Sequence, residues 1–280
     1  MVKIITDTTS CLPAEFARQH GIAIIPQIIN FGTDSFYEGI QIDNPTFMKR
    51  LRASPELPKT AAPPPELFAE EYRCLIPQGD SILCIHPSTE VSGTVRSAVV
   101  AAKDFPNTDI RVLDTRLIGC PIASLVMLSS EWADEGLDIN LIENRLNKMI
   151  PRCHLYFMVD TLEYLARGGR IGGASALIGS VLQIKPILCI QNGQVMPFEK
   201  ERTHKRALSR LKEIVIEQYP HQNNGYLSIM HADVPHQAHE LANDLRIRLG
   251  IQTIPIYNVP PAIVVHGGPG IFGVAFFTNQ

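Results

Sequence analysis

Two hydroxyls flank a glycine in Ser92-Gly93-Thr94, just after the apolar run 81–85 and a polar loop. In open α/β sheets, ligands settle where a strand ends and a helix begins. The helix start leaves backbone N–H groups unpaired and carries partial positive charge, which suits a carboxylate or a phosphate. Gly93 has no Cβ, so a ligand oxygen can come close to the main chain. The same residues also read as an ordinary N-cap, and the local sequence does not separate the two. Thr60, ahead of Pro63-Pro64-Pro65, offers one hydroxyl, as a ligand contact or as a plain loop residue. Arg170 in Gly168-Gly169-Arg170 and Arg202 in Glu199-Lys200-Glu201-Arg202-Thr203 offer rigid forks of donors to a carboxylate or a partner's phosphates. The plain alternative for each is a solvated arginine. His266 precedes Gly267-Gly268-Pro269-Gly270, a turn that can present its imidazole or satisfy it with backbone. Asp7, closing the first apolar run, can orient a polar cluster, bind a ligand or cap its own turn.

The elements that must position these residues alternate from the start. Residues 2–6 read as a buried strand and 13–18 as a helix, with Ser10 a candidate N-cap. Residues 22–29 read as one strand, 44–53 as a helix and 59–65 as a rigid extended loop, because prolines fix φ and forbid helix. A helix opens at Pro65, where proline is tolerated in the first turn. Strands at 81–85 and 110–113 enclose a helix over 94–103, and an apolar helix runs to Trp132. This pattern predicts a parallel sheet covered by helices. After a helix at 141–149, Pro151-Arg152 is the expected boundary between domains 1–151 and 152–280.

The second half reads differently. A strand at 155–159 precedes a short helix at 161–166 that stops at Gly168-Gly169, and 172–182 is small and apolar. Asn192-Gly193 joins strands 185–190 and 194–198 as a hairpin. Helices at 205–218 and 235–249 and strands at 226–231, 253–259 and 271–277 complete an α+β domain with an antiparallel component. The fold class expected is α/β in two domains, a parallel-sheet α/β/α domain followed by an α+β domain.

Composition narrows the function. The 280 residues are 45% hydrophobic and 19% charged, enough apolar material for a sizeable core. A net charge of −3 with scattered Lys and Arg lacks the basic face that nucleic acid requires. The amino-terminal residues have no signal-like apolar core, and the longest apolar runs are too short to span a bilayer. A cytoplasmic location without stable membrane insertion is the expectation. Six cysteines stand singly with no C-x-x-C spacing, and His236-x-x-His239 has no nearby cysteine, so neither a disulfide framework nor a metal site is expected. The chain also lacks a G-x-S-x-G elbow, a Walker sequence and a dinucleotide fingerprint. No catalytic residues and no cofactor are therefore assigned. Two enzyme readings stand as alternatives: a small-ligand enzyme related to dihydroxyacetone kinases, and a serine hydrolase using Ser92.

Three islands in order, Val91-Ser92-Gly93-Thr94, Asp160 through Ile171 with its Leu165-Ala166-Arg167-Gly168-Gly169-Arg170 core, and His266-Gly267-Gly268-Pro269-Gly270, resemble the DegV family of bacterial proteins. The resemblance spans nearly the whole chain. It implies a carrier that buries one long-chain fatty acid, such as palmitate, stearate or oleate, between two domains. It implies Thr60, Ser92 and Gly93 on the carboxylate, with Arg202 and His266 beside it and Asp7, Thr94 and Arg170 in support. Arg170 reads within the pattern as structural or as a partner contact. The resemblance further implies a separate fatty acid kinase as partner, making acyl phosphate for phospholipid synthesis. Two departures bear on the pocket: Thr60-Ala61-Ala62-Pro63 where the family usually shows Thr-Ser-Gln-Pro, and Gly119, Pro121 and Ala123 where it tends to have Ser, Gly and Gly.

Overall fold

The computed structural model describes residues 2–78, 81–178, 184–220 and 225–279. The chain divides into two compact units, Met1–Pro151 and Arg152–Gln280. The first opens with β1 (Lys3–Asp7), α1 (Ala14–Gln19) and β2 (Ala23–Ile25). Then come β3 (Ile28–Phe31), β4 (Asp34–Tyr37), α2 (Asn44–Ala53), β5 (Lys59–Ala61) and α3 (Pro65–Leu75). It closes with β6 (Ile82–His86), α4 (Thr94–Ala102), β7 (Ile110–Asp114), α5 (Cys120–Asp134) and α6 (Ile139–Met149).

Four of these strands form a wholly parallel sheet in the order β2-β1-β6-β7. The chain leaves β1 on one side to make β2 and returns on the other side to make β6. The carboxyl ends of β1 and β6 therefore meet at a reversal of strand order, the place where ligand crevices open in such sheets. Ile5, Ile82 and Cys84 pack against Phe68 and Tyr72 of α3 and Ala98 and Ala101 of α4. The largely buried α5 lies on β1 and β6.

Two expectations need correction here. Residues 22–29 are not one strand: Pro26, which has no N–H to give a ladder, separates β2 from β3. The two pieces belong to different sheets, because β3 pairs antiparallel with β4 and β5. The segment 59–65 is not wholly loop, since Lys59–Ala61 is β5 and only the residues after it run free into the prolines. Helix starts follow their local chemistry. Asp43 Oδ1 accepts from Thr46 N at 2.9 Å and Asp138 Oδ1 from Leu141 N at 2.9 Å, while α3 and α5 carry proline in the first turn.

The second unit contains β8 (Cys153–Met158), α7 (Glu163–Arg167), a 3-10 segment (Gly172–Leu177), β9 (Lys185–Gln191), β10 (Gln194–Glu201) and α8 (His204–Gln218). It continues with β11 (Ser228–His231), α9 (Pro235–Leu249), β12 (Ile256–Asn258), α10 (Pro261–Gly267) and β13 (Phe272–Phe277). Its six strands run β10-β9-β8-β13-β11-β12, antiparallel except for the β11–β12 pair. Tyr156, Ile229, Val274 and Phe276 of the sheet pack on Leu211 and Val215 of α8 and Leu245 of α9. Asn192 (φ 51°) and Gly193 (φ 83°) form the two-residue hairpin turn between β9 and β10, a backbone that those two residue types tolerate best. Residues 179–183, part of the small apolar stretch read from sequence, lie outside the described residues. Residues ahead of the Gly267–Gly270 turn form α10 (Pro261–Gly267), with Pro261 in the first turn and His266 in the last. All six cysteines are free thiols. Among the described residues no helix is long and apolar enough to cross a membrane, and no three metal-ligating side chains converge.

Candidate functional site

β1 ends on Asp7 and β6 ends on His86, and neither side chain has any exposed surface. Parallel pairing with Ile5 opposite Cys84 carries these two strand ends to the same level. Asp7 Oδ2 and His86 Nδ1 are 2.8 Å apart. Asp7 Oδ1 accepts from Thr9 N at 3.0 Å, from Thr9 Oγ1 at 2.5 Å and from Gln27 Nε2 at 3.0 Å. Taking a carboxylate out of water is offset only by such a full set of donors. Gln27, itself buried, reaches onward from the same nitrogen to Thr94 Oγ1 at 2.8 Å. Thr94 Oγ1 lies 2.8 Å from Ser92 Oγ, and Thr94 N donates to Ser92 Oγ at 3.3 Å. A continuous polar chain thus runs from the buried Asp7–His86 pair to the half-buried Ser92 at the start of α4.

Gly93 occupies the N-cap position of α4. A Cβ there would stand 3.2 Å from Ala62 Cβ, so the glycine lets the segment after β5 close on the helix start. Thr60 is half-buried on β5 opposite Ile29, two residues before Ala62. Asp7, Ser92 and Thr94 are therefore joined by hydrogen bonds through Gln27, and Gly93 meets Ala62, two residues after Thr60.

In the second unit, His266 and Arg170 form a separate group. A Cβ on Gly168 would overlap His266 Nδ1, so the glycine after α7 is the seat for the imidazole carried by α10. Arg170 Nη1 folds back to donate to Gly168 O at 2.7 Å. The two glycine-containing islands of this unit are thus one local structure. Burial, and then the Arg170 charge, push the His266 imidazole down to about 4, so it is neutral at pH 7 and acts as a hydrogen-bonding group. Arg202 is exposed in the bend between β10 and α8, and no hydrogen bond among the described residues ties it to His266 or Arg170.

The depressed His266 value makes a pH prediction. In the unfolded chain this histidine takes up a proton near its ordinary 6.5, whereas in the fold it does so only near 4. Between those values the unfolded state binds more protons, so stability falls as pH falls through that window. Urea unfolding followed by far-UV circular dichroism should give a lower midpoint at pH 5 than at pH 7, with a smaller difference in His266→Gln. An equal difference in the variant would place the sensitivity elsewhere, with His154 and His231, which burial also pushes down, as the next groups to test.

Sequence reading missed Gln27, His86 and Thr9. The signal available was weak: a polar residue directly after Pro26 inside an apolar stretch, and a histidine ending an otherwise apolar strand.

Residues 1–279 of the 280 match the DegV family, described as uncharacterised proteins. The chain belongs to the DegV family. A DegV domain-containing protein of Streptomyces coelicolor is 37% identical over 275 residues, covering 98% of this chain and 97% of that protein. A DegV family protein from Thermus thermophilus, described for its fatty acid binding, superposes with a TM-score of 0.91 at 27% identity, covering 99% of each chain. DegV from Bacillus subtilis, a fatty acid binding protein, superposes with a TM-score of 0.89 at 30% identity, again over 99% of each chain. The DegV fold expected from the three islands is the fold observed, a parallel-sheet unit and a separate sheet-rich unit.

Proposed function

We propose that this chain binds one long-chain fatty acid, with the carboxylate held by Ser92, Gly93 and Thr60. The observation that carries the reading is the polar chain ending on Ser92 at the N-terminus of α4, at the sheet's reversal of strand order, in a fold whose neighbours from Thermus thermophilus and Bacillus subtilis are fatty acid binding proteins. Roles for Arg202 and His266 as further carboxylate contacts, and for Arg170 as support, rest on the family resemblance. Presentation of the bound acid to a separate fatty acid kinase, and a place in phospholipid metabolism, rest on it as well. The energetics are adequate. Burying about 15 methylenes at about 0.8 kcal/mol each contributes on the order of 12 kcal/mol gross, against an association cost of about 4–15 kcal/mol.

The serine hydrolase alternative needs an imidazole on the serine. Ser92 Oγ is bonded to Thr94, and His86 is turned to Asp7. Mass spectrometry of the purified protein, native and then after organic extraction, should find one fatty acid per chain released on denaturation. Ser92→Ala should keep the fold and hold oleate about tenfold less tightly, the worth of one hydrogen bond to a charged group. An empty protein that also takes up neither palmitate nor oleate would move the assignment to a small polar ligand.

A further inference from the structure

We propose that Asp7, Gln27 and Thr94 form a polarised relay that fixes Ser92 as a pure hydrogen-bond donor, making the site selective for a headgroup that only accepts. The proposal rests on the reading of Ser92 as the headgroup contact, and it adds what that reading lacks: the reason the hydroxyl faces the ligand with its hydrogen.

Each step follows from what an atom can donate. Asp7 Oδ1 already takes two hydrogens from Thr9, and a carboxylate oxygen is an acceptor. The Gln27 amide must therefore present its nitrogen, because the opposite orientation would set its carbonyl oxygen against the carboxylate. One N–H goes to Asp7 at 3.0 Å, and the second points to Thr94 Oγ1 at 2.8 Å. Thr94 Oγ1 is thereby an acceptor from Gln27. Its own single hydrogen has one polar atom in reach among the described residues, Ser92 Oγ at 2.8 Å. Thr94 is fully buried, so pointing that hydrogen elsewhere would leave it unpaired. Ser92 Oγ thus accepts from the Thr94 hydroxyl, and it accepts a second time from Thr94 N at 3.3 Å. Both of its lone pairs are engaged. The Ser92 hydrogen has no acceptor among the described residues, and the side chain is half-buried rather than sealed, so this hydrogen is what the site offers.

The consequence is selectivity. A carboxylate, with lone pairs only, matches an outward hydroxyl hydrogen. An alcohol oxygen can accept that hydrogen too, but as a weaker, uncharged acceptor whose own hydrogen finds no free lone pair on Ser92, and an ammonium meets no free lone pair there at all. Discrimination of this kind exceeds what pocket size supplies, because the wrong headgroup leaves a polar group unpaired. Gln27 and Thr94 are positioning residues here, since they act on the ligand through Ser92.

The test uses the full chain stripped of lipid, with oleate and oleyl alcohol delivered from cyclodextrin and binding read by calorimetry. The wild-type protein should prefer oleate. Gln27→Met and Thr94→Val should lower the oleate-to-alcohol affinity ratio about tenfold, whereas Thr94→Ser, which keeps the hydroxyl, should retain the ratio within about twofold. If both ligands weaken together and the ratio stays at the wild-type value, the two residues only pack, and the relay is overturned. A wild-type protein that binds oleate but prefers it no more than the alcohol overturns the relay too, while leaving the fatty acid reading standing. A wild-type protein that binds neither ligand removes that reading, and the relay's role with it. Should Gln27→Met fail to give the wild-type emission of Trp132, the Thr94 pair of variants decides alone.

Discussion

Asp7→Ala is expected to destabilise the first unit by about 3–5 kcal/mol, because it strips the shared acceptor from several buried donors at once. The side chain is fully buried and is the acceptor for four hydrogen bonds, from Thr9 twice, from Gln27 and from His86. Alanine would leave the His86 imidazole buried with neither nitrogen paired, because His86 Nε2 has no partner among the described residues already. The Gln27 amide would lose its anchor at the same time. Asp7→Asn keeps one acceptor for Thr9 and Gln27 and should cost only about 1–2 kcal/mol. Trp132, the single tryptophan, sits on α5 within the same unit, so its emission in a urea series isolates the effect. A local probe matters because a two-unit chain need not unfold in one step. A loss below about 1 kcal/mol in the alanine variant would mean that water reaches these donors.

Gly172→Ala should be as damaging in the second unit, on the order of 3–5 kcal/mol, from strain and overpacking acting together. Gly172 has φ +52°, and a Cβ there would overlap the carbonyl oxygen of Val195 and lie 3.2 Å from Val195 N. Both obstacles are backbone of β10, paired in register to β9, and cannot turn aside as a side chain could. The absent side chain is what allows the 3-10 segment to lie on the hairpin. A fall of about 10–20 °C in the thermal midpoint of this unit by circular dichroism is expected. An unchanged midpoint would show that the segment lifts off the hairpin at no cost.

These two cases mark where the sequence is legible. Features carried by neighbouring residues read directly: the Asn192-Gly193 turn, the Pro65 and Pro235 helix starts, and the Ser92-Gly93-Thr94 junction between β6 and α4 all follow from local chemistry. The α10 helix carries little local signal, because Pro260-Pro261 opposes helix except where Pro261 stands in a first turn and its missing N–H costs nothing. Gly172 read only as part of a small apolar stretch, since the β10 backbone that forbids a side chain there is 23 residues away. Gln27 and His86 were missed for the same kind of reason. Their partners lie 20 and 79 residues away along the chain, and only the strand order brings them together. No spacing rule could have paired them.

That strand order also sets a timetable for the nascent chain. β1 emerges early, yet its β6 neighbour is not made until about 80 residues later, about 4–16 s at ribosomal rates of 5–20 residues per second. Until then one edge of β1 is open, and Asp7 stands without the imidazole that the finished fold gives it. Parallel pairing over such a distance forms slowly because the intervening loop must close first. The β1–β6 junction that carries the Asp7–His86 pair is therefore completed only after β6 is made, and an interrupted chain ending before β6 exposes a strand edge fit for pairing with another copy.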